Sequence, residues 1–267
     1  MYYLDYHSHT GYSFDGEGTP EALCLSAIEK GMDEIAITDH MDIYSLQHYN
    51  YILNCPKLYA DLRSCRDRFA GKLKVTLGAE LGQPMNNPES ARRFLADYPD
   101  LDFVIGSIHC MENDLDVYYY NWKKHDPIQT YDHYLDWLID YAENYDFDVL
   151  GHITYPLRYM ANDGICPDIH IFYEKMEHLF RILIRRDKGI ELNVSGLRQT
   201  MKTTMPTPEI LQLYHETGGR ILTIGSDSHC PADIGHSIPK GIEIAKNAGF
   251  RSITRFEKRV PVEVPIL

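Results

Sequence analysis

The chain has 267 residues, of which 44% are hydrophobic, enough for one large domain with a substantial core. Its 26 basic and 39 acidic residues leave a formal charge of −13, which argues against broad nucleic-acid binding, since that depends on neutralising phosphates with Lys and Arg. No apolar run is long enough to cross a membrane, and the first residues turn at once to polar chemistry without a signal-peptide pattern.

The first strand is expected over residues 2–6. It runs directly into Asp5-Tyr6-His7-Ser8-His9-Thr10. Positions i and i+2 of an extended chain share a face, so His7 and His9 converge on one spot. Thr19-Pro20-Glu21 then opens a helix with an N-cap and a proline at the first helical position, and Gly31 ends it. A second strand over 34–38 ends in Thr38-Asp39-His40. A helix over 57–70 precedes a third strand, 74–79, which ends in Gly78-Ala79-Glu80. A helix over 88–97 leads to a fourth strand, 102–107, ending in Ser107-Ile108-His109. A helix over 131–144 leads to a fifth, 148–151, ending in Gly151-His152. After a helix over 171–188 comes the sixth strand, 189–194, which ends in Asn193-Val194-Ser195 with Arg198 close behind. Thr207-Pro208-Glu209 repeats the helix-start signal, Gly218-Gly219 the stop, and the seventh strand, 220–225, ends in Ser226-Asp227-Ser228-His229. A last helix is expected over 238–247, followed by an extended, proline-bearing tail from Val260.

Strand alternating with helix throughout implies a parallel sheet with right-handed crossovers. Seven units without a linker suggest one closed α/β barrel spanning 1–267, with an open doubly wound sheet as the alternative. No G-x-G-x-x-G follows the first strand, which weakens a nucleotide-binding reading. The six cysteines form no C-x-x-C pair, and free thiols in a reducing cytosol are expected.

Six of the seven strands thus end in His, Asp or Glu. A single histidine at a strand end is ordinarily a polar residue at a loop junction, but that account does not extend to six strands at once. α/β folds build their sites at this end of the sheet. Histidines 7, 9, 40, 109, 152 and 229, with Glu80 and Asp227, exceed the roughly four ligands of one zinc. Asp15, in the first loop, adds a ninth group. Two or three metals are expected, and imidazole with carboxylate suits Zn, Fe or Mn. Histidines 48, 125, 133, 170, 178, 215 and 236 fall in helices or loops and are expected to be structural.

In order along the chain, His7-Ser8-His9, Thr38-Asp39-His40, Gly78-Ala79-Glu80, Ser107-Ile108-His109, Gly151-His152 and Ser226-Asp227-Ser228-His229 resemble the motifs of the PHP metallohydrolases. The resemblance spans nearly the whole chain. It implies a distorted (β/α)7 TIM-like barrel with a trinuclear site. By the same resemblance, His7, His9, Glu80 and Asp227 would hold one metal. Glu80 would bridge to a second, held also by His109 and His152, and Asp15, His40 and His229 would hold the third. An aspartate at position 15, and the stretch Asn193-Val194-Ser195-Gly196-Leu197-Arg198, look like the histidinol-phosphate phosphatase branch.

That branch implies hydrolysis of a small phosphorylated substrate in a cytoplasmic biosynthetic pathway. Arg158 and Arg198 would bind the phosphate dianion, which suits a guanidinium fork. Asp227 and His229 are candidates for protonating the leaving group. Ser195 and Asp42 are expected to touch substrate, with Glu112 and the aromatic stretch Tyr118–Trp122 as weaker candidates for the imidazole and amine. Two alternatives remain: a PHP phosphoesterase acting on nucleotides or another phosphomonoester, and a non-catalytic metal-binding domain. Oligomeric state is left open.

Overall fold

The computed structural model describes residues 2–44, 55–111 and 114–266; His48 and Glu112 lie outside them. Seven parallel staves run in the order β1 (Leu4–Asp5), β2 (Glu34–Ile37), β4 (Lys74–Gly82), β5 (Phe103–Ser107), β6 (Val149–Leu150), β7 (Gly189–Asn193) and β8 (Leu222–Gly225). The ring closes where the first stave meets the last. Tyr6 N–H donates to the Ile224 carbonyl at 3.0 Å and His9 N–H to that of Ser228 at 2.7 Å. The barrel expected from the alternating pattern is therefore present, and the open sheet is not.

The second stave is longer than its sequence suggests. It breaks at Thr38-Asp39 and resumes as β3 (His40–Asp42), which pairs with the far half of β4, His40 opposite Glu80. The break exists because the Asp39 carboxylate is drawn to the first loop. It accepts from Thr10 N–H at 2.8 Å and from the Ser13 hydroxyl at 2.7 Å.

Helices α1 (Pro20–Glu29), α2 (Cys55–Arg68), α3 (Pro88–Asp97), α4 (Pro127–Asn144), α6 (Tyr173–Arg185), α7 (Pro208–Thr217) and α8 (Ile238–Asn247) cover the barrel in the expected order, α4 starting one turn earlier than expected, at the Asp126-Pro127 start signal, and α6 being shorter at both ends. Thr19, Asn87 and Asp126 cap their helices by accepting from backbone N–H groups of the first turn, which leaves fewer orphan donors. Thr207 does not repeat that bond, although α7 still begins at Pro208 and stops at Gly218, whose φ of 112° only glycine adopts freely.

Two elements were not legible in the sequence. Helix α5 (Tyr155–Asn162) follows β6 and is only eight residues long, too short for a periodic signal; its one cue is Pro156 near its start. The tail is extended from Val260 as expected, but as β10 (Val260–Pro265) it pairs antiparallel with β9 (Ser252–Glu257). The turn between them puts Lys258 and Arg259 at φ 50° and 67° without the glycine or asparagine such a hairpin normally requires. Asp102 stabilises it, its backbone carbonyl accepting from Arg259 N–H and its carboxylate from Lys258 N–H. The hairpin packs at the start of the barrel strands, with Phe256 stacked 5.0 Å from Phe103.

The staves are buried almost throughout, which is why they read as near-continuous Ile/Val/Leu runs. No helix among the described residues is long and apolar enough to cross a membrane.

Candidate metal centre

The strand ends place the nine expected residues around one point at the C-terminal mouth of the barrel. His7 Nε2 lies 3.3 Å from Glu80 Oε2 and 3.8 Å from Asp227 Oδ1. His9 Nε2 lies 3.5 Å and 3.6 Å from the same two oxygens. Around the other Glu80 oxygen, His152 Nε2 is at 2.9 Å and His109 Nε2 at 3.2 Å, with the two rings 3.4 Å apart through Nε2. At the rim, Asp15 reaches His229 Nε2 at 3.2 Å and His40 Nε2 at 3.6 Å. His9 stands between the first and third groups, its ring 4.3 Å from both His40 and His229.

Apart from His152 to Glu80 at 2.9 Å, most of these contacts are long for hydrogen bonds and match the edges of a coordination polyhedron. A zinc–nitrogen bond near 2.1 Å in a tetrahedron separates neighbouring ligand atoms by about 3.4 Å. Among the described residues, His7 Nε2, His9 Nε2, His40 Nδ1 and Glu80 Oε2 are buried and outside the regular hydrogen-bond network, the last two facing each other at 2.9 Å. An orphaned buried polar atom costs on the order of 1–3 kcal/mol. Four together, all lone-pair donors aimed at one space, fit a set of cations.

The electrostatics agree. Burial resists ionisation of Glu80 and Asp227, but the surrounding imidazoles overcome it and hold both carboxyls well below the usual range. Burial likewise pulls His7, His40 and His109 down, and the facing carboxylates more than reverse it. Anionic oxygens packed this closely call for positive charge, which bound metal would supply.

A further ring of side chains meets the outer nitrogens of the clustered imidazoles. His7 Nδ1 meets Glu191 Oε1 at 2.7 Å, His9 Nδ1 meets the Ser13 hydroxyl at 3.3 Å, and His109 Nδ1 meets Asp42 Oδ1 at 2.9 Å. His229 Nδ1 faces its neighbour's backbone, the Asp227 carbonyl, at 3.1 Å. The backbone is itself unusual here: Gln83, His152 and Asp227 have φ of 46°, 22° and 52°, strained for residues with a Cβ.

Two expected substrate contacts are placed otherwise. Asp42 is turned toward His109 and also accepts from the Gln83 amide at 3.3 Å, so its carboxylate is occupied behind the ligands. Ser195 is buried, donating to Asn193 Oδ1 at 2.6 Å and lying 3.3 Å from Asp227 Oδ2. Neither lines the cavity: Asp42 faces His109, and Ser195 faces Asn193 and Asp227. Sequence reasoning also passed over Glu191, Asp39, Ser13 and Gln83. The signal was available for Glu191: a charged residue in the middle of a buried strand needs a partner.

Above the cluster opens a cavity of about 360 Å³. Its floor includes His40, Glu80, His109, His152 and Asp227, and its walls include Tyr155, Arg158, Tyr159 and Arg198. The two arginines therefore meet the cluster at one space, as expected. Arg158 makes no hydrogen bond or ion pair among the described residues; its guanidinium lies 5.2 Å from the Tyr159 ring and 6.0 Å from that of Tyr155. Arg198 is anchored, donating to the carbonyls of Ser226 at 2.9 Å and Asp227 at 3.3 Å. Of the aromatic stretch, Trp122 is buried in the core, while Tyr118 packs edge-on against Tyr159 at 5.5 Å. A larger cavity, about 930 Å³, lies against the C-terminal hairpin and includes none of the clustered histidines.

The family described as PHP domain matches residues 5–195. A histidinol-phosphatase of Lactococcus lactis subsp. lactis (strain IL1403) is 31% identical over 262 residues, covering 95% of this chain and 94% of its own. Among solved structures, the histidinol phosphate phosphatase of Lactococcus lactis, complexed with Zn, L-histidinol and phosphate, superimposes with a TM-score of 0.84. It is 25% identical, over 97% of this chain and 98% of that one. A Listeria monocytogenes structure has a TM-score of 0.78 at 20% identity, covering 89% of this chain and 99% of its own, a likeness of fold alone.

Proposed function

The chain belongs to the PHP domain family, and we propose that it is a metal-dependent phosphatase that converts L-histidinol phosphate to L-histidinol and phosphate, a step of histidine biosynthesis. The observation that carries this reading is one enclosed space in which metal-type ligands and two guanidinium groups face each other. The solved relative with zinc, L-histidinol and phosphate supports it.

Three divalent metals are inferred. His7, His9, Glu80 and Asp227 would hold the first, Glu80, His109 and His152 the second, and Asp15, His40 and His229 the third. Nitrogen and carboxylate donors without thiolate suit Zn, Fe or Mn. When bound, such metals polarise a phosphoryl oxygen and make water a better nucleophile near neutral pH.

The chain's own residues supply the rest. Among the described residues the Arg158 guanidinium contacts the Tyr159 and Tyr155 rings but makes no hydrogen bond or ion pair, so its N–H donors can fork onto a phosphate. Arg198 uses part of its donor set on the backbone of Ser226 and Asp227, has its Nε 3.6 Å from Asp233, and would turn the remainder of its fork to the phosphate. Together they would stabilise charge on the equatorial oxygens, where most phosphoryl-transfer catalysis resides. Of the two groups considered for protonating the leaving alkoxide, Asp227 has both oxygens engaged by His7, His9, Asn193 and Ser195. His229, whose Nε2 would hold the third metal and whose Nδ1 faces the Asp227 carbonyl, is no better placed. A cavity of about 360 Å³ suits a small phosphomonoester and, with the acidic chain, speaks against a nucleic-acid strand. One continuous hydrophobic core supports a single domain over 1–267, and six cysteines outside any disulfide support a reducing, cytoplasmic setting.

The test is phosphate release from L-histidinol phosphate by protein of known metal content, beside nucleotides and generic phosphomonoesters. Turnover of histidinol phosphate no faster than the generic esters overturns the assignment.

A further inference from the structure

β7 is the one stave whose end carries no metal-type ligand, yet it places a fully buried carboxylate, Glu191, beneath the cluster. Both of its oxygens are occupied. Oε1 meets His7 Nδ1 at 2.7 Å. Oε2 accepts the His152 backbone N–H at 2.9 Å and the Asn193 side-chain amide at 3.2 Å. The same amide lies 3.3 Å from Asp227 Oδ2.

We propose that Glu191 is a positioning residue that couples the first and second metal positions, fixing the His7 ring and the His152 backbone from one carboxylate. The inference rests on the metal-centre reading above. Through Oε1, Glu191 takes the Nδ1 proton of His7 into a hydrogen bond. That selects the tautomer whose Nε2 lone pair faces Glu80 and Asp227, and among the described residues Nε2 makes no hydrogen bond. Through Oε2, it secures the peptide of His152, whose φ of 22° is unfavourable for a residue with a Cβ. Through Asn193, it reaches the carboxylate of Asp227. Ligands of both positions thus depend on one buried group that does not line the cavity.

The backbone around Glu191 is shaped to admit it. A Cβ on Gly225 would lie 2.4 Å from Glu191 Oε1 and 2.3 Å from His7 Cβ, so only glycine lets this carboxylate and this imidazole meet beside β8. A Cβ on Gly151 would meet Ile105 at 2.7 Å and the Ser107 hydroxyl at 2.8 Å, with Glu191 Oε2 at 3.5 Å. The glycine of the Gly225-Ser226-Asp227 motif therefore has a reason beyond turn-making: it clears the volume that the carboxylate and the His7 side chain fill, whereas Gly151 makes room for Ile105 and Ser107.

The test uses Glu191→Gln, which keeps the shape but cannot accept from both the His7 ring and the His152 peptide. Zinc affinity is measured by competition with a chromophoric chelator, and the visible spectrum is recorded on cobalt-loaded protein. Thermal unfolding is followed in excess chelator. Zinc affinity is expected to fall about 10–100-fold, with an altered cobalt spectrum. Affinity within twofold of wild type with a superimposable cobalt spectrum overturns the proposal, and so does a lower unfolding temperature in chelator as the sole change. If Glu191→Gln does not fold, wild-type zinc-loaded protein with 15N-labelled histidine decides the matter, the His7 signal being assigned with His7→Gln. A protonated Nδ1 in a strong hydrogen bond supports the role, and a protonated Nε2 overturns it. Wild-type protein that binds zinc but spares histidinol phosphate refutes only the proposed substrate; wild-type protein that takes up no metal refutes both readings.

Discussion

Replacing Arg158 with methionine separates the phosphate clamp from the metal cluster. The guanidinium lies over Tyr159 at 5.2 Å and Tyr155 at 6.0 Å, lines the cavity, and makes no ion pair among the described residues. Its loss should cost little stability, about 1 kcal/mol of cation–π attraction, partly recovered by the methionine stem. The loss in catalysis should be larger. A hydrogen bond to a charged group contributes roughly 1.5–3 kcal/mol, so one fork onto a phosphate that is partly wetted is worth about 3 kcal/mol in all. At about 1.4 kcal/mol per decade, that is on the order of a hundredfold in kcat/KM. The assay is steady-state phosphate release from L-histidinol phosphate with metal content determined on the same sample. A fall confined to KM would mean that Arg158 holds substrate and transition state alike; a fall in kcat would mean that it acts as charge builds on the equatorial oxygens. A variant within threefold of wild-type kcat/KM at unchanged metal content would refute the clamp.

Arg198→Ala should raise KM strongly and also lower kcat, because the arginine fixes the carbonyls of Ser226 and Asp227 as well as facing the cavity; an unchanged KM removes it from the clamp. Asp5→Asn should lower the unfolding temperature by several degrees, corresponding to roughly 2–4 kcal/mol, because Asp5 accepts from Ser226 N–H and hydroxyl and from Gly235 N–H across the barrel closure; calorimetry that finds no shift would show the seam to be held without it. Dialysis against a strong chelator should lower the unfolding temperature and abolish phosphate release, with zinc or manganese restoring both, since metal bound only to the folded state stabilises it by mass action. A melting temperature indifferent to chelator would argue against the cluster as a metal centre.

The strand ends were readable because the barrel imposes a simple rule on its sequence. Each buried stave is an apolar run, and a His, Asp or Glu directly after it stands out against that background. The first stave and β4 illustrate this: His7, His9 and Glu80 follow or close their runs and meet within 3.3–3.5 Å. The rule also explains what was missed. Glu191 lies inside β7 between Ile190 and Leu192, where a lone carboxylate reads as an anomaly of the sheet. Helix α5 carries Arg158 and two cavity tyrosines on a segment too short to show periodicity. Asp42 and Ser195 lie at strand ends like the true cavity residues, and only their hydrogen bonds reveal that they turn toward His109 and Asp227 instead.

By itself the sequence determined the alternation of strand and helix, the count of seven staves, and the residue types gathered at one end, because these follow from local periodicity and chain order; closure of the ring against an open sheet was decided by the hydrogen bonds between the first and last staves. Which ligand faces which was decided only in three dimensions. Asp227 and His229 share the i, i+2 spacing of His7 and His9, but Asp227 turns through φ 52° and meets His7 and His9, while His229 swings to Asp15. The closing seam between Ser8 and Ser228, 220 positions apart in the chain, brings those groups together. The orientation of each imidazole then depends on buried partners from other staves, and contacts at such separations leave no periodic trace in the chain.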